Sequence, residues 1–200
     1  MPGREKRISP SYEIAIRAVT GYRTEDEPST KTIAVEGSSD ATIEGRYMSV
    51  TLSRLLVNLP MISDEGEPGY FTLLAVDLRN LWDYQLITKY NTLGIKHKLI
   101  DSLGFQYEVD MPPWDYRTVV LEDGESLEVR YEAPERYLEA HARTTGWFSF
   151  GTLLGGAAPE RFIFRFPVFD AGQTGGWVRD EEVLEFVITD YEAVPYGDPR

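Results

Sequence analysis

Two copies of one tripeptide carry the most suggestive side-chain chemistry in the chain: Trp82-Asp83-Tyr84 and Trp114-Asp115-Tyr116. Exposed Trp and Tyr present rigid apolar faces with polar tips, which suits protein interfaces and sugar stacking alike. Both copies fall at breaks in the strand pattern. Each Trp therefore also reads as a lid over an open end of the core, with Asp turning the chain. Trp82, Tyr84, Trp114 and Tyr116 are the candidate binding residues.

The remaining candidates are weaker. There are two histidines, His97 and His141. His97 would share a strand face with Ile95 and Leu99, and His141 would lie on a short helix. A His-based metal centre needs three converging groups, and nothing in the spacing brings these together, so both read as surface or half-buried structural histidines. Three acidic clusters, Asp64/Glu65/Glu67, Glu122/Asp123/Glu125 and Asp180/Glu181/Glu182, hold the oxygen ligands that calcium prefers. None has the alternation of an EF-hand loop, and solvated turn charges are the plainer reading. Ser149, in Gly146-Trp-Phe-Ser-Phe-Gly151, lacks the spacing of a nucleophile elbow. Gly155-Gly156 and Gly175-Gly176 lack the Lys and Ser/Thr of a phosphate loop. No catalytic set is legible, so the expectation is a non-enzyme with no cofactor, calcium being the one ion left open.

Composition narrows the partners. The 20 basic residues against 33 acidic ones give a net charge of −13, which disfavours duplex nucleic acid and anionic membrane surfaces. The absence of cysteine removes disulfides, thiolate metal sites and Cys nucleophiles together. Met1-Pro-Gly-Arg-Glu-Lys-Arg7 is basic, but no apolar stretch of a signal peptide follows it, and no run approaches a membrane span. The chain as written reads as cytoplasmic, or as extracellular if a leader has been removed.

Strands must position whatever binds. In Tyr70-Phe-Thr-Leu-Leu-Ala-Val-Asp-Leu-Arg-Asn80, Leu74, Val76 and Leu78 alternate with Ala75, Asp77 and Arg79, the period of a half-buried strand that Asn80 closes. Phe162, Phe164 and Phe166 point one way, Ile163 and Arg165 the other, and Pro167 is expected to end regular pairing. Residues 12–19, 118–121, 126–131, 147–150 and 183–189 read as further strands, and 84–90 admits one. Residues 95–100 and 105–109 flank Asp101-Ser-Leu-Gly104 as a hairpin, and Asp123-Gly124 marks a second. Residues 47–59 fit strand or helix spacing, with strand favoured by Tyr47, Val50, Thr51 and Val57. Residues 21–40 read as a long surface connection with a short edge strand near 33–35. The one helix candidate is 133–143, where Pro134 suits a first turn and Tyr137, Leu138 and His141 share a face. About ten short strands and at most one short helix predict an all-β antiparallel sandwich over residues 11–190, between tails at 1–10 and 191–200.

The order of these segments carries a resemblance. A strand ending Val-Asp-Leu-Arg-Asn80, the hairpin Leu99-Ile-Asp-Ser-Leu-Gly-Phe-Gln-Tyr107, Phe162-Ile-Phe-Arg-Phe-Pro-Val168 and a final Leu-Glu-Phe-Val-Ile188 follow in turn. Over residues 47–189 the chain resembles the immunoglobulin-like domains of unknown function found in many prokaryotic secreted lipoproteins. The resemblance implies an immunoglobulin-like sandwich with an Asp-x-x-Gly-x-x-Tyr hairpin, and it implies no catalytic residues. The strand at 12–19 and the stretch 111–143 are additions to that pattern.

The function expected is a non-enzymatic protein-interaction or structural module, with a protein partner or self-association, the N-terminal strand being free to pair with a neighbour's sheet edge. The alternative is a carbohydrate-binding module that stacks a glycan on the two Trp-Asp-Tyr sites.

Overall fold

The computed structural model describes residues 7–23, 29–34, 41–88, 96–110, 113, 115–121, 124–169 and 178–196, with the side chains of 23, 29–34, 169, 178 and 179 excepted. These residues form fourteen strands and no helix. In chain order they are β1 (Tyr12–Arg23), β2 (Ser29–Ala34), β3 (Ala41–Glu44), β4 (Met48–Ser63), β5 (Pro68–Asn80), β6 (Leu86–Ile87) and β7 (Lys98–Asp101). They continue with β8 (Gln106–Glu108), β9 (Tyr116–Val120), β10 (Ser126–Glu128), β11 (Tyr137–Leu138), β12 (Arg143–Ser149), β13 (Pro159–Phe169) and β14 (Val178–Val194).

All pairings are antiparallel, and they build two layers. In the first, β12 pairs with β5 and β5 with β4. The far edge of β4 is then taken in succession by β3, β1 and β9. The second layer runs β2-β1-β14-β13-β7-β8. Strand β1 belongs to both layers, since Tyr12 faces Val57 of β4 while Glu13 onwards runs along β14. Register shifts at Ile16/Ala18 and Ala18/Val19 bend it from one layer into the other.

The alternation read from the sequence fills the space between the layers. Leu74, Val76 and Leu78 of β5 face Phe162, Phe164 and Phe166 of β13 in one buried cluster. Rings meet across the layers, Phe148 with Phe164 at 6.1 Å and Phe150 with Phe162 at 5.7 Å. Burying one such side chain contributes roughly 1.5–3 kcal/mol, so this Phe-rich seam is the main source of stability.

Strand β4 explains why its sequence looked helical. Shifts between Leu52/Arg54 and Leu56/Leu59 each slip the alternation, so Leu52, Leu55, Leu56 and Leu59 recur at helix-like spacing in an extended chain. At the second shift Asn58 takes φ 51° and is fully buried. Its amide donates to the carbonyls of Ser9 (3.0 Å) and Leu153 (2.9 Å), and its carbonyl accepts the Leu153 N–H at 2.8 Å. One side chain thus ties the bulge to the N-terminal segment and to the loop before β13. On either side of it, Leu56, Leu59 and Met61, with Leu73 of β5, turn to the outer face of the first layer and form a second core under Val119, Val129 and Tyr131.

Several expectations are corrected. Residues 133–143 form no helix: Tyr137 and Leu138 pair with Ile87 and Leu86 as β11, and Pro134 packs against Gly146, where a Cβ would lie 2.3 Å from the Pro134 nitrogen. His141 sits in a turn at φ 60°. Pro167 does not end pairing, for β13 stays registered with β14 through Phe169. It is tolerated because β7 pairs with β13 only as far as Lys98↔Ile163, leaving β13 beyond that point a strand partner on one edge only. The connection expected at 21–40 contains the end of β1 and all of β2, paired from Ala18↔Ala34 to Arg23↔Ser29. The expected tails are engaged at both ends. Ser9 N–H donates to Leu153, Tyr191 lies within β14, and the Tyr196 hydroxyl donates to the Val57 carbonyl at 2.9 Å. Among the described residues no helix is long and apolar enough to cross a membrane.

Candidate functional site

The two Trp-Asp-Tyr tripeptides lie far apart. Trp82 follows Asn80, which pairs with Met48 at one end of β4, whereas Tyr116 pairs with Ser63 at the other. The thirteen residues of β5 that run alongside span about 40 Å at the usual rise. Trp114 lies outside the described residues. Tyr116 packs edge-on against Phe71, ring centroids 4.8 Å apart, beside the second core.

At the other end Asn80 does the positioning. It is fully buried; its side-chain oxygen accepts the Trp82 N–H at 2.8 Å, and its amide donates to the carbonyls of Tyr84 (2.7 Å), Leu138 and Glu139 (both 3.0 Å). The Asn expected to close the strand therefore does so through an Asx turn. Trp82 is half-buried, edge-on to Tyr47 at 5.3 Å and to Tyr84 at 4.9 Å. Tyr84 itself is 45% exposed. Asp83 and His141 meet on the surface at 3.0 Å.

His97 is more deeply placed than expected, at 2% exposure. Its ring lies 4.8 Å from Phe148, 5.4 Å from Phe164 and 5.2 Å from Phe166. Nδ1 accepts the Arg165 N–H at 3.0 Å, so Nε2 carries the proton and donates it to the Thr88 carbonyl at 2.8 Å. Burial pushes the imidazole down to about 4, against the raising effect of the Thr88 hydrogen bond. Both ring nitrogens are occupied and the ring is closed off from solvent. This is a core histidine.

The acidic cluster at residues 180–182 is dispersed into structural roles. The Glu182 carboxylate is buried under the 45–48 turn and accepts the backbone N–H groups of Arg46, Tyr47 and Met48, the last at 2.7 Å. Gly45 permits this approach, since a Cβ there would sit 2.3 Å from a carboxylate oxygen. Glu181 accepts from Arg165 at 3.2 Å, and Asp180 accepts the Tyr47 hydroxyl at 3.3 Å. In the hairpin, Asp101 accepts the N–H groups of Leu103 and Phe105 (each 2.9 Å) and the Tyr107 hydroxyl (2.9 Å). Among the described residues no three His, Asp or Glu side chains gather in a set that would hold a metal ion. Residues 122 and 123 of the second acidic cluster lie outside the described residues.

Among the described residues two surfaces stand out. The first is a groove of about 570 Å³ on the outer face of the first layer, where the second core ends. Its floor is a row across four strands, Thr42↔Thr51↔Asp77↔Thr145, and Trp147 forms a wall opposite Ala75. The second is the end of the sandwich at the β7–β8 hairpin. There Leu103 is 56% exposed, Phe105 60% and Ile8 42%. Ile8 bridges to Leu154, and Leu103 reaches within 3.5 Å of where a Cβ of the next residue, Gly155, would lie. The sequence signalled neither surface as a site. Asp77 read as the polar side of an ordinary strand, Thr51 as a strand former, and Leu103 and Phe105 as hairpin residues.

Fold and surfaces together define an all-β, two-layer antiparallel sandwich. An uncharacterised β-sandwich protein from Clostridium difficile 630 is similar in structure, with a TM-score of 0.32 and 14% identity over 69% of this chain and 93% of that one. No protein-family model and no curated protein matches the chain.

Proposed function

We propose that the protein is a non-enzymatic interaction module that associates with a second copy of itself through the apolar end of the sandwich. The observation that carries this reading is the exposure of Ile8, Leu103 and Phe105 together at one end. Contiguous large apolar side chains in water mark interaction surfaces, and a two-fold contact lets the same three residues cover one another. The described chemistry-bearing groups support it too, since His97, Asp101 and Glu182 are consumed in holding the fold. The route expected from the sequence, a free N-terminal strand, has no support: β1 is paired with β14 on one side and with β4 and β2 on the other.

The absence of cysteine makes the test simple. Leu103→Cys and Phe105→Cys each introduce a single thiol at the proposed contact, and Tyr84→Cys introduces one at the Asn80 end. Oxidation should trap covalent dimers of the first two and not of the third. Equal trapping of all three, or trapping of none, would sink the reading.

We further infer that the sandwich is of the immunoglobulin-like kind. Support comes from β5–β7 and β12–β13, which each pass from one layer to the other, and from the Asp101, Gly104 and Tyr107 hairpin. Cysteine pairs placed across the two layers at β5 and β13 that fail to cross-link on oxidation would remove this inference.

A further inference from the structure

The outer face of the first layer is divided in two. Toward Ser63 it is covered: β9, β10 and the chain up to Tyr131 lie over Leu56, Leu59, Met61 and Leu73. Toward Asn80 the cover stops and the groove begins, and the residue types change at that step. Behind it the sheet is apolar; in front of it the floor carries Thr42, Thr51, Ser53 and Thr145 around the small Ala75. The hydroxyls of Thr42 and Thr51 lie 2.8 Å apart on adjacent strands. A polar row on the outer face of a sheet is ordinary; a polar row sunk beside a Trp wall is a shaped site.

That wall is firmly held. The Trp147 N–H donates to the Glu132 carbonyl at 2.8 Å, and its ring stands edge-on to Tyr131 at 4.9 Å and 73°. The neighbouring Gly146 lets residues 133 and 134 pass at close range, where any side chain would collide with them. Two charge pairs flank the floor. Arg143 Nε reaches both oxygens of Asp77 at 2.7 Å and its Nη2 adds a further bond, while Arg130 meets Glu132 at 3.3 Å. The Asp77 side chain is 16% exposed, so Arg143 holds it in one orientation. Two cations against two anions leave the groove electrically balanced, on a chain whose net charge is −13.

These features select among ligand classes. A phosphate or sulfate ester would need an excess of cations, and the lining has none. A peptide that binds by strand addition needs an open strand edge, whereas the floor here is the face of four strands already paired to one another. An apolar ligand would strip water from the floor hydroxyls without replacing their hydrogen bonds. A sugar ring has the matching surface: an apolar C–H face for an aromatic wall, and hydroxyls around its edge that both donate and accept. The volume falls within the ~300–1,000 Å³ of small-molecule sites, enough for a short oligosaccharide.

We propose that this groove binds an uncharged oligosaccharide, with one sugar ring against Trp147 and its hydroxyls bonded to Asp77, Arg143 and the threonine floor. The site differs from the tripeptides Trp82-Asp83-Tyr84 and Trp114-Asp115-Tyr116, and it is independent of the apolar end, so self-association and glycan binding can fail separately.

The test is a printed array of neutral and sulfated oligosaccharides, followed by calorimetric titration of xylohexaose, cellohexaose and mannohexaose. Wild-type protein should bind a neutral member of the array. Trp147→Ala should raise its Kd at least tenfold. Because Trp147 also packs on the second core, Thr145→Arg serves as a second variant: Thr145 is exposed and directly opposite Asp77, so the substitution fills the floor and meets an opposite charge without touching the interior. It should abolish binding while leaving the melting temperature unchanged. Trp82→Ala should bind as wild type. Absence of any neutral glycan hit, binding that survives both groove variants, or a preference for sulfated glycans would overturn the proposal.

Discussion

Acid should weaken this protein through His97. In the folded state the imidazole lies among Phe148, Phe164 and Phe166, and burial lowers its pKa from 6.5 to about 4. The unfolded chain takes up a proton near pH 6.5 and the folded chain does not until near pH 4. The sign follows from that order. Stability is whole above pH 6.5, falls as pH drops toward 4, and loses nothing further from this group below that. Each pH unit between the two values corresponds to about 1.36 kcal/mol, so the loss approaches about 3 kcal/mol, a substantial share of the stability of an ordinary domain. The control is His97→Gln, whose amide has a donor and an acceptor for the Thr88 carbonyl and the Arg165 N–H but does not titrate. Urea unfolding from pH 7.5 to 4.5 should show the wild type losing stability relative to the variant at up to ~1.4 kcal/mol per pH unit. A difference that stays flat over that range would refute the reasoning. So would an NMR titration placing the folded-state imidazole near 6.5.

Three further outcomes follow from the buried polar contacts. Glu182→Ala removes the carboxylate that accepts three backbone N–H groups at the 45–48 turn; it should cost roughly 3–5 kcal/mol in urea unfolding, and a loss below 1 would contradict the buried geometry. Asn58→Ala strands the Ser9 carbonyl and the Leu153 N–H at a bulge, while the Leu153 carbonyl keeps the Ser9 N–H, and should cost roughly 3 kcal/mol by the same assay. Burial and the hydrogen bond to Asp101 push the Tyr107 hydroxyl up to about 12, so Tyr107→Phe should remove one late-ionising tyrosine from an alkaline absorbance titration. With the folded value raised, that tyrosine's contribution is whole below pH 10 and is lost between 10 and 12.

The strands that alternate cleanly were legible because each has one face in the main core. Phe162, Phe164 and Phe166 needed nothing beyond period two. The Asp101 hairpin was legible for a different reason: Gly104 at φ 82° and the Asp101 side chain form a local turn that no distant contact has to impose. Residues 133–143 were misread because their fate is decided elsewhere. Leu138 is drawn into the core beside Leu86, and Pro134 is placed by a glycine twelve residues on, so tertiary packing overrides local helical spacing. The bulges of β4 hid in the same way, since two one-residue slips in succession look like helical spacing until the partner strand is known. The groove was illegible because Thr42, Thr51, Asp77 and Thr145 become neighbours only through three cross-strand registers. The depth of His97 escaped too: its strand face with Leu99 was readable, but the ring of phenylalanines around it comes from β12 and β13.

Native mass tests the central claim, that the apolar end joins two copies, most directly. Sedimentation equilibrium from low micromolar to millimolar concentration should carry the wild type from 22.8 kDa toward twice that mass. Under the same conditions the double variant Leu103→Asp with Phe105→Asp should remain at 22.8 kDa with an unchanged melting temperature. A wild-type mass fixed at 22.8 kDa throughout, or a variant that associates as the wild type does, would contradict the account.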